Sequence, residues 1–242
     1  MMGKIRFVLI LAAALVMTSC NFTENVYINK DGSGKFALDI DASTMMSMMG
    51  GEGGEQSVDT TFTFKALLAQ KKDSIAKLPL AEQERLKKME GFSVRTNVDE
   101  KSKKFVLSLM GDFKKPSDLM DAMSLMKSMD DLQSKDGGRL SKLGDLNTDL
   151  KYAFDGKKFT RKVTIKDAVV QKQLSDSLAT IKPMLETFTY TVKYHFPKKV
   201  KSVSVKDALF SEDRKTVTIQ YPFADFIEKP EVMNFEAVLE NK

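Results

Sequence analysis

The stretch FTYTVKYHF, residues 188–196, alternates in polarity without a fault. Phe188, Tyr190, Val192, Tyr194 and Phe196 share one parity, while Thr189, Thr191, Lys193 and His195 share the other. A period of two sends successive side chains to opposite faces of a strand, so this segment predicts a strand with an apolar face on a core and a polar face turned away. The pattern continues downstream through Val203 and Val205, then Val217, Ile219 and Tyr221, then Phe235, Ala237 and Leu239. SEDRK (211–215) reads as a turn and ADFIEKPEV (224–232) as a short helix or loop.

Upstream, the same alternation comes in pairs. Val26 and Ile28 answer Phe36, Leu38 and Ile40 across KDGSG; Phe92, Val94 and Val98 answer Phe105, Leu107 and Leu109 across DEKSK. Tyr152 and Phe154 answer Phe159, Val163 and Ile165 across Asp155-Gly156, a dipeptide that favours a tight hairpin turn. Between the pairs the period changes. Helical stretches are predicted from about Phe62 to Lys77, from Leu80 to Glu90 after the break at Pro79, and over KKPSDLMDAMSLMKSMDDL (114–132), with Ser117 as its N-cap. A further helix carries Val170, Leu174, Leu178, Ile181 and Leu185 as a one-sided apolar stripe.

Three hairpins, each followed by a helix, and a closing β-meander predict the α+β class: an antiparallel sheet with helices on one face. The Gly-rich loop at 135–148 divides residues 20–134 from 149–242, either as two small domains or as two parts of one. No residue-level identity links the three hairpin units, so they do not form a sequence repeat.

The N-terminus has a different character. Lys4 and Arg6 precede an apolar run from Phe7 to Met17, and Thr18 and Ser19 precede Cys20, the one cysteine of the 242 residues. This is the layout of a secretory signal peptide over residues 1–19. The apolar run is about half of the roughly 20 residues that a helix needs to cross a bilayer. A lone free thiol would be a liability in an exported protein, because an oxidising compartment drives such groups into stray disulfides.

Removing residues 1–19 takes Lys4, Arg6 and no acid from the 38 cations and 33 anions, so the mature body is close to neutral. Its cations alternate with acids, as in DEKSKK and SEDRKT, which is not the one-sided basic footprint that nucleic acid requires. The single histidine, His195, lies on the polar face of its strand, where the plain reading is a solvent-facing side chain. With one His and one Cys, the usual zinc ligand sets cannot be assembled, and no G-x-S-x-G elbow, Walker A or dinucleotide fingerprint occurs. NKDGSGKFALDI begins like a calcium loop at Asn29, Asp31 and Ser33, but Ile40 stands where the bidentate acid belongs, so a hairpin turn is expected. No cofactor and no enzymatic activity are expected.

Methionine is the compositional oddity. Met45, Met46, Met48 and Met49 crowd one loop, while Met123, Met126 and Met129 step by three along a predicted helix, within about 120° of arc. Such thioethers suit three roles: irregular core filling, an adaptable partner or lipid-facing surface, or a soft Cu(I) site.

Val16-Met17-Thr18-Ser19-Cys20 resembles the lipobox of bacterial lipoproteins, which implies that Cys20 receives diacylglycerol and becomes the mature N-terminus. The ending, through Phe196-Pro197, Val200 and Thr216-Val217-Thr218-Ile219, resembles the LppM-type lipoprotein domain, though it lacks that domain's late tryptophan. The NVYINKDGSGKF hairpin close behind the cysteine is similar to lipoproteins of the Bacteroidetes. That likeness implies O-glycosylation at DTT, DSI and DSL, beginning at Asp59, Asp73 and Asp176. Together these imply a cell-envelope lipoprotein anchored through Cys20, in the outer membrane facing the periplasm. Its expected partners are the membrane and an envelope protein or lipid, with a copper-binding periplasmic protein as the alternative.

Overall fold

A computed structural model describes residues 22–44, 57–119 and 147–241. The fold is α+β. Its larger sheet has eight strands in the order β10-β11-β8-β1-β2-β5-β4-β3, where β1 is Phe22–Ile28, β2 Gly34–Asp41, β3 Ser57–Thr63, β4 Phe92–Asp99, β5 Lys104–Phe113, β8 Thr189–His195, β10 Leu209–Phe210 and β11 Thr216–Pro222. A second sheet has the order β6-β7-β12-β9, with β6 Thr148–Phe154, β7 Lys158–Ile165, β9 Val200–Val203 and β12 Phe235–Leu239.

All three hairpins form, with Val26 opposite Phe36, Val94 opposite Leu109 and Phe154 opposite Phe159. The 188–196 alternation becomes β8, a central strand that pairs antiparallel with β11 and parallel with β1. The parallel pairing sets Phe22 beside Tyr190 and Val26 beside Tyr194, so residues from both sides of the Gly-rich loop share one sheet. The strand-rich ending goes beyond a simple meander. β10 and β11 extend the large sheet, whereas β9 and β12 complete the small one.

The two sheets face one another through aromatic side chains. Phe159 on β7 lies 5.1 Å from Tyr194 and 5.6 Å from Phe196, centroid to centroid, and Tyr194 stacks on Phe235 at 4.6 Å. These rings are buried, as are Val26, Phe36, Leu38, Val192, Val217 and Ile219 on the facing side of the large sheet. Gly34 allows the tightest approach: a Cβ there would sit 1.8 Å from the Tyr27 carbonyl oxygen.

Six α-helical segments are described: α1 Phe64–Gln70, α2 Lys72–Ile75, α3 Leu80–Lys88, α4 Ala168–Leu178, α5 Lys182–Leu185 and α6 Phe223–Glu228. The helix expected from Phe62 starts later because Ser57–Thr63 pairs with β4 as an edge strand, and the Thr63 hydroxyl then accepts from the Ala66 N–H as the N-cap. α3 gives way to a 3-10 turn over Met89–Gly91. Ser117 is not an N-cap. It sits inside a 3-10 turn, Pro116–Asp118, closed by the Lys115 N–H donating to Asp118 Oδ2, and Leu119 is already extended. The expected helix beyond it lies outside the described residues.

Asp167 caps α4, its Oδ1 accepting from the N–H groups of Val169 (2.7 Å) and Val170 (3.2 Å), where a carboxylate also complements the helix dipole. The single helix expected to carry the stripe is broken by a 3-10 turn over Ala179–Ile181 between α4 and α5; Leu185 is buried and Leu174 and Leu178 pack partly against the core, while Val170 and Ile181 are exposed. α4 packs chiefly on α6 and buries a narrower arc than the stripe implies.

Candidate functional site

Cys20, Met45, Met46, Met48, Met49, Met123, Met126 and Met129 all lie outside the described residues. What the structure does give is the position at which the chain emerges behind Cys20. Phe22 opens β1, an interior strand bonded to β2 on one side and β8 on the other. Phe22 stacks on Phe223 of α6 at 4.3 Å, and Phe226 stacks on Tyr190 at 4.8 Å. In the sequence one residue, Asn21, stands between Cys20 and Phe22, where the described strand begins. The chain leaves β2 at Asp41 and re-enters at Ser57 in β3, and these strand ends lie on the same side of the sheet as Phe22.

Between the sheets lies a polar cluster. Glu24, inward on β1, accepts from Tyr190 Oη at 2.5 Å through Oε2 and from Tyr152 Oη at 3.2 Å through Oε1. Arg161, inward on β7, brings Nη1 to 3.8 Å from Glu24 Oε1 and donates to Tyr194 Oη at 3.5 Å. Its guanidinium also lies over the Tyr152 ring at 5.7 Å. Both charged side chains are 2% exposed. Burial opposes the charge on Arg161, but Tyr152, Tyr194, Glu24 and Tyr190 outweigh it and hold the guanidinium firmly protonated. Burial pushes the phenols of Tyr194 and Tyr221 up. The cluster is buried and ringed by aromatic side chains, and it joins the two sheets. Neither residue was singled out from the sequence; the signal that could have found them is parity, Glu24 with Val26 and Ile28, and Arg161 with Phe159 and Val163.

His195 is more constrained than a solvent-facing side chain. Its ring stacks on Tyr27 at 4.0 Å and 6°, with Nδ1 3.1 Å from Thr216 Oγ1 and Nε2 3.3 Å from Asn25 Oδ1. Partial burial, helped by Lys193, lowers its pKa from the usual 6.5. The KDGSG segment is the expected hairpin turn: Asp31 Oδ1 accepts from the Ser33 N–H and hydroxyl, and Gly32 supplies a φ of 84°. Among the described residues, no three His, Cys, Asp or Glu side chains gather in a metal-binding arrangement. Thr60, Ser74 and Ser177, the hydroxyls of the three Asp-Thr/Ser triplets, are all exposed.

At the end of the sheet away from Phe22 opens a cleft of about 530 Å³ over Phe92 and Phe113. Ile28 pairs with Gly34 and Gly34 with Phe113, six residues along β1 from Phe22 or about 20 Å. Lys65, Lys87, Lys88 and Lys114 face Glu90, Asp112 and Asp118 around it, so its charge nearly cancels and it forms no one-signed funnel.

No protein-family model, no curated protein and no solved structure matches the chain. No described helix is long and apolar enough to cross a membrane.

Proposed function

We propose that this protein is a lipid-anchored lipoprotein of the bacterial cell envelope, in the outer membrane facing the periplasm, and that it works by contact with an envelope protein or lipid rather than by catalysis. The observation that carries the reading is the lipobox ending at Cys20, two residues before Phe22. Acyl chains contribute roughly 0.8 kcal/mol per buried methylene, so a multiply acylated terminus holds a protein at a bilayer without a spanning helix. A central strand starting right behind that terminus suits this role, because a pull on Asn21 is carried by two ladders of backbone hydrogen bonds instead of a fraying end.

Fractionation of cells expressing the full chain tests this. The wild type is expected in the membrane fraction, and Cys20→Ala is expected in the soluble fraction. A Cys20→Ala protein that stays with the membrane through an alkaline wash would contradict the anchor.

A further inference from the structure

We infer that the helical cap beside the anchor, α4 docked on α6, lies against the bilayer surface and touches it through Val169 and Val170. The inference rests on the lipid-anchor reading and adds an orientation and a second contact to it.

Three structural links put this cap at the anchored end. α6 holds Phe22 through the Phe223 stack. Buried Gln171 ties α4 to α6, its Nε2 donating to the Ile227 carbonyl at 2.8 Å. β7 runs toward the same end: Phe159 lies beside Phe196, Arg161 reaches Glu24, and Ile165 is four residues further on, about 13 Å. The helix that follows β7 therefore begins on the anchored side.

There, Val169 is 67% exposed and Val170 45%, adjacent apolar side chains in a turn whose N–H groups Asp167 already satisfies. Two exposed valines alone indicate no partner. Their place at the end of the fold where β1 begins does. A one-residue tether makes their contact with lipid intramolecular, so a weak apolar affinity is multiplied by a high effective concentration.

The nearby cations do not supply the contact. Lys166 pairs with Asp149 at 3.8 Å, Lys172 with Asp176 at 2.7 Å, and Lys182 with Glu228 at 2.8 Å. Asp167, Asp225 and Glu186 add further negative charge, so anionic lipid does not draw the cap in and the contact is apolar.

The test uses the full acylated protein in phosphatidylcholine vesicles. Acylation blocks Cys20, so Val169→Cys and Lys30→Cys each offer a single thiol for an environment-sensitive dye. Lys30 lies in the exposed β1–β2 turn at the opposite end. The dye at 169 is expected to shift to the blue and to be quenched by spin-labelled lipid near the headgroups, whereas the dye at 30 stays water-like. Exchanging part of the lipid for phosphatidylglycerol, or adding salt, should leave both signals unchanged. A water-like signal at 169 on vesicle-bound protein overturns the cap contact and leaves the anchor standing. A blue shift at 169 that depends on protein concentration rather than on lipid overturns it in favour of a second copy. Protein that is unacylated and unbound overturns the anchor reading, and the cap contact with it.

Discussion

Glu24 on β1 and Arg161 on β7 meet across the two sheets, Oε1 to Nη1 at 3.8 Å, 137 residues apart in sequence and both 2% exposed. Burying two charges is expensive, and their attraction repays it only when hydrogen bonds satisfy what remains. Here Tyr152 and Tyr190 cover the carboxylate, while Arg161 Nε has no partner among the described residues. The pair therefore contributes more to register between the sheets than to net stability.

Removing one partner should be far worse than removing both. Glu24→Gln leaves a buried guanidinium uncompensated and is expected to destabilise the fold by about 3–5 kcal/mol. The double variant Glu24→Leu/Arg161→Met should recover most of that loss. Urea unfolding of the two variants and the wild type, with midpoints and slopes compared, checks the order.

Phe159 packs against Tyr152, Tyr194, Phe196 and Phe235 with no exposed surface. Phe159→Ala opens a cavity between the sheets and should reduce stability by about 3–5 kcal/mol. Gly34→Ala adds a single carbon yet should be at least as damaging, because its clash is with the Tyr27 backbone and with Phe113, neither of which is a loose side-chain end. Expression yield and thermal midpoint of the two variants decide this.

Two groups give pH dependence of opposite origin but the same direction. The hydrogen bond from Arg95 holds Asp59 down to about 2 from the usual 3.8, with Asn97 assisting. Its stabilising effect is present above 3.8 and is lost as the pH falls through about 2. The pair is half exposed on an edge strand, so its share is small. For His195 the folded pKa lies below 6.5, so the unfolded chain takes up protons first and stability falls as the pH drops below that value. Carboxylate and imidazole NMR titrations should show Asp59 rising toward its ordinary value in Arg95→Ala, and His195 rising in Lys193→Ala.

The parts of the fold that were legible in the sequence are those with a local period. The three hairpins and β8 carry their register in alternating residues, and only the correct phase buries Phe36, Leu109, Phe159 and Tyr194. β3 escaped because SVDTTFT has no apolar alternation: an edge strand with five successive exposed residues needs none. The parallel pairing of β1 with β8 escaped because no local pattern encodes a contact between Phe22 and Tyr190. Glu24 and Arg161 escaped the sequence reading although parity with Val26 and with Phe159 puts each on an inward face, because only the facing of the two sheets shows that each is the other's counter-ion.

The most direct test of the account is mass spectrometry of the N-terminal peptide from the mature protein. The expected peptide begins at Cys20, without residues 1–19 and with diacylglycerol on the sulfur. A peptide carrying an unmodified Cys20 thiol, or one that retains the residues before it, would contradict it.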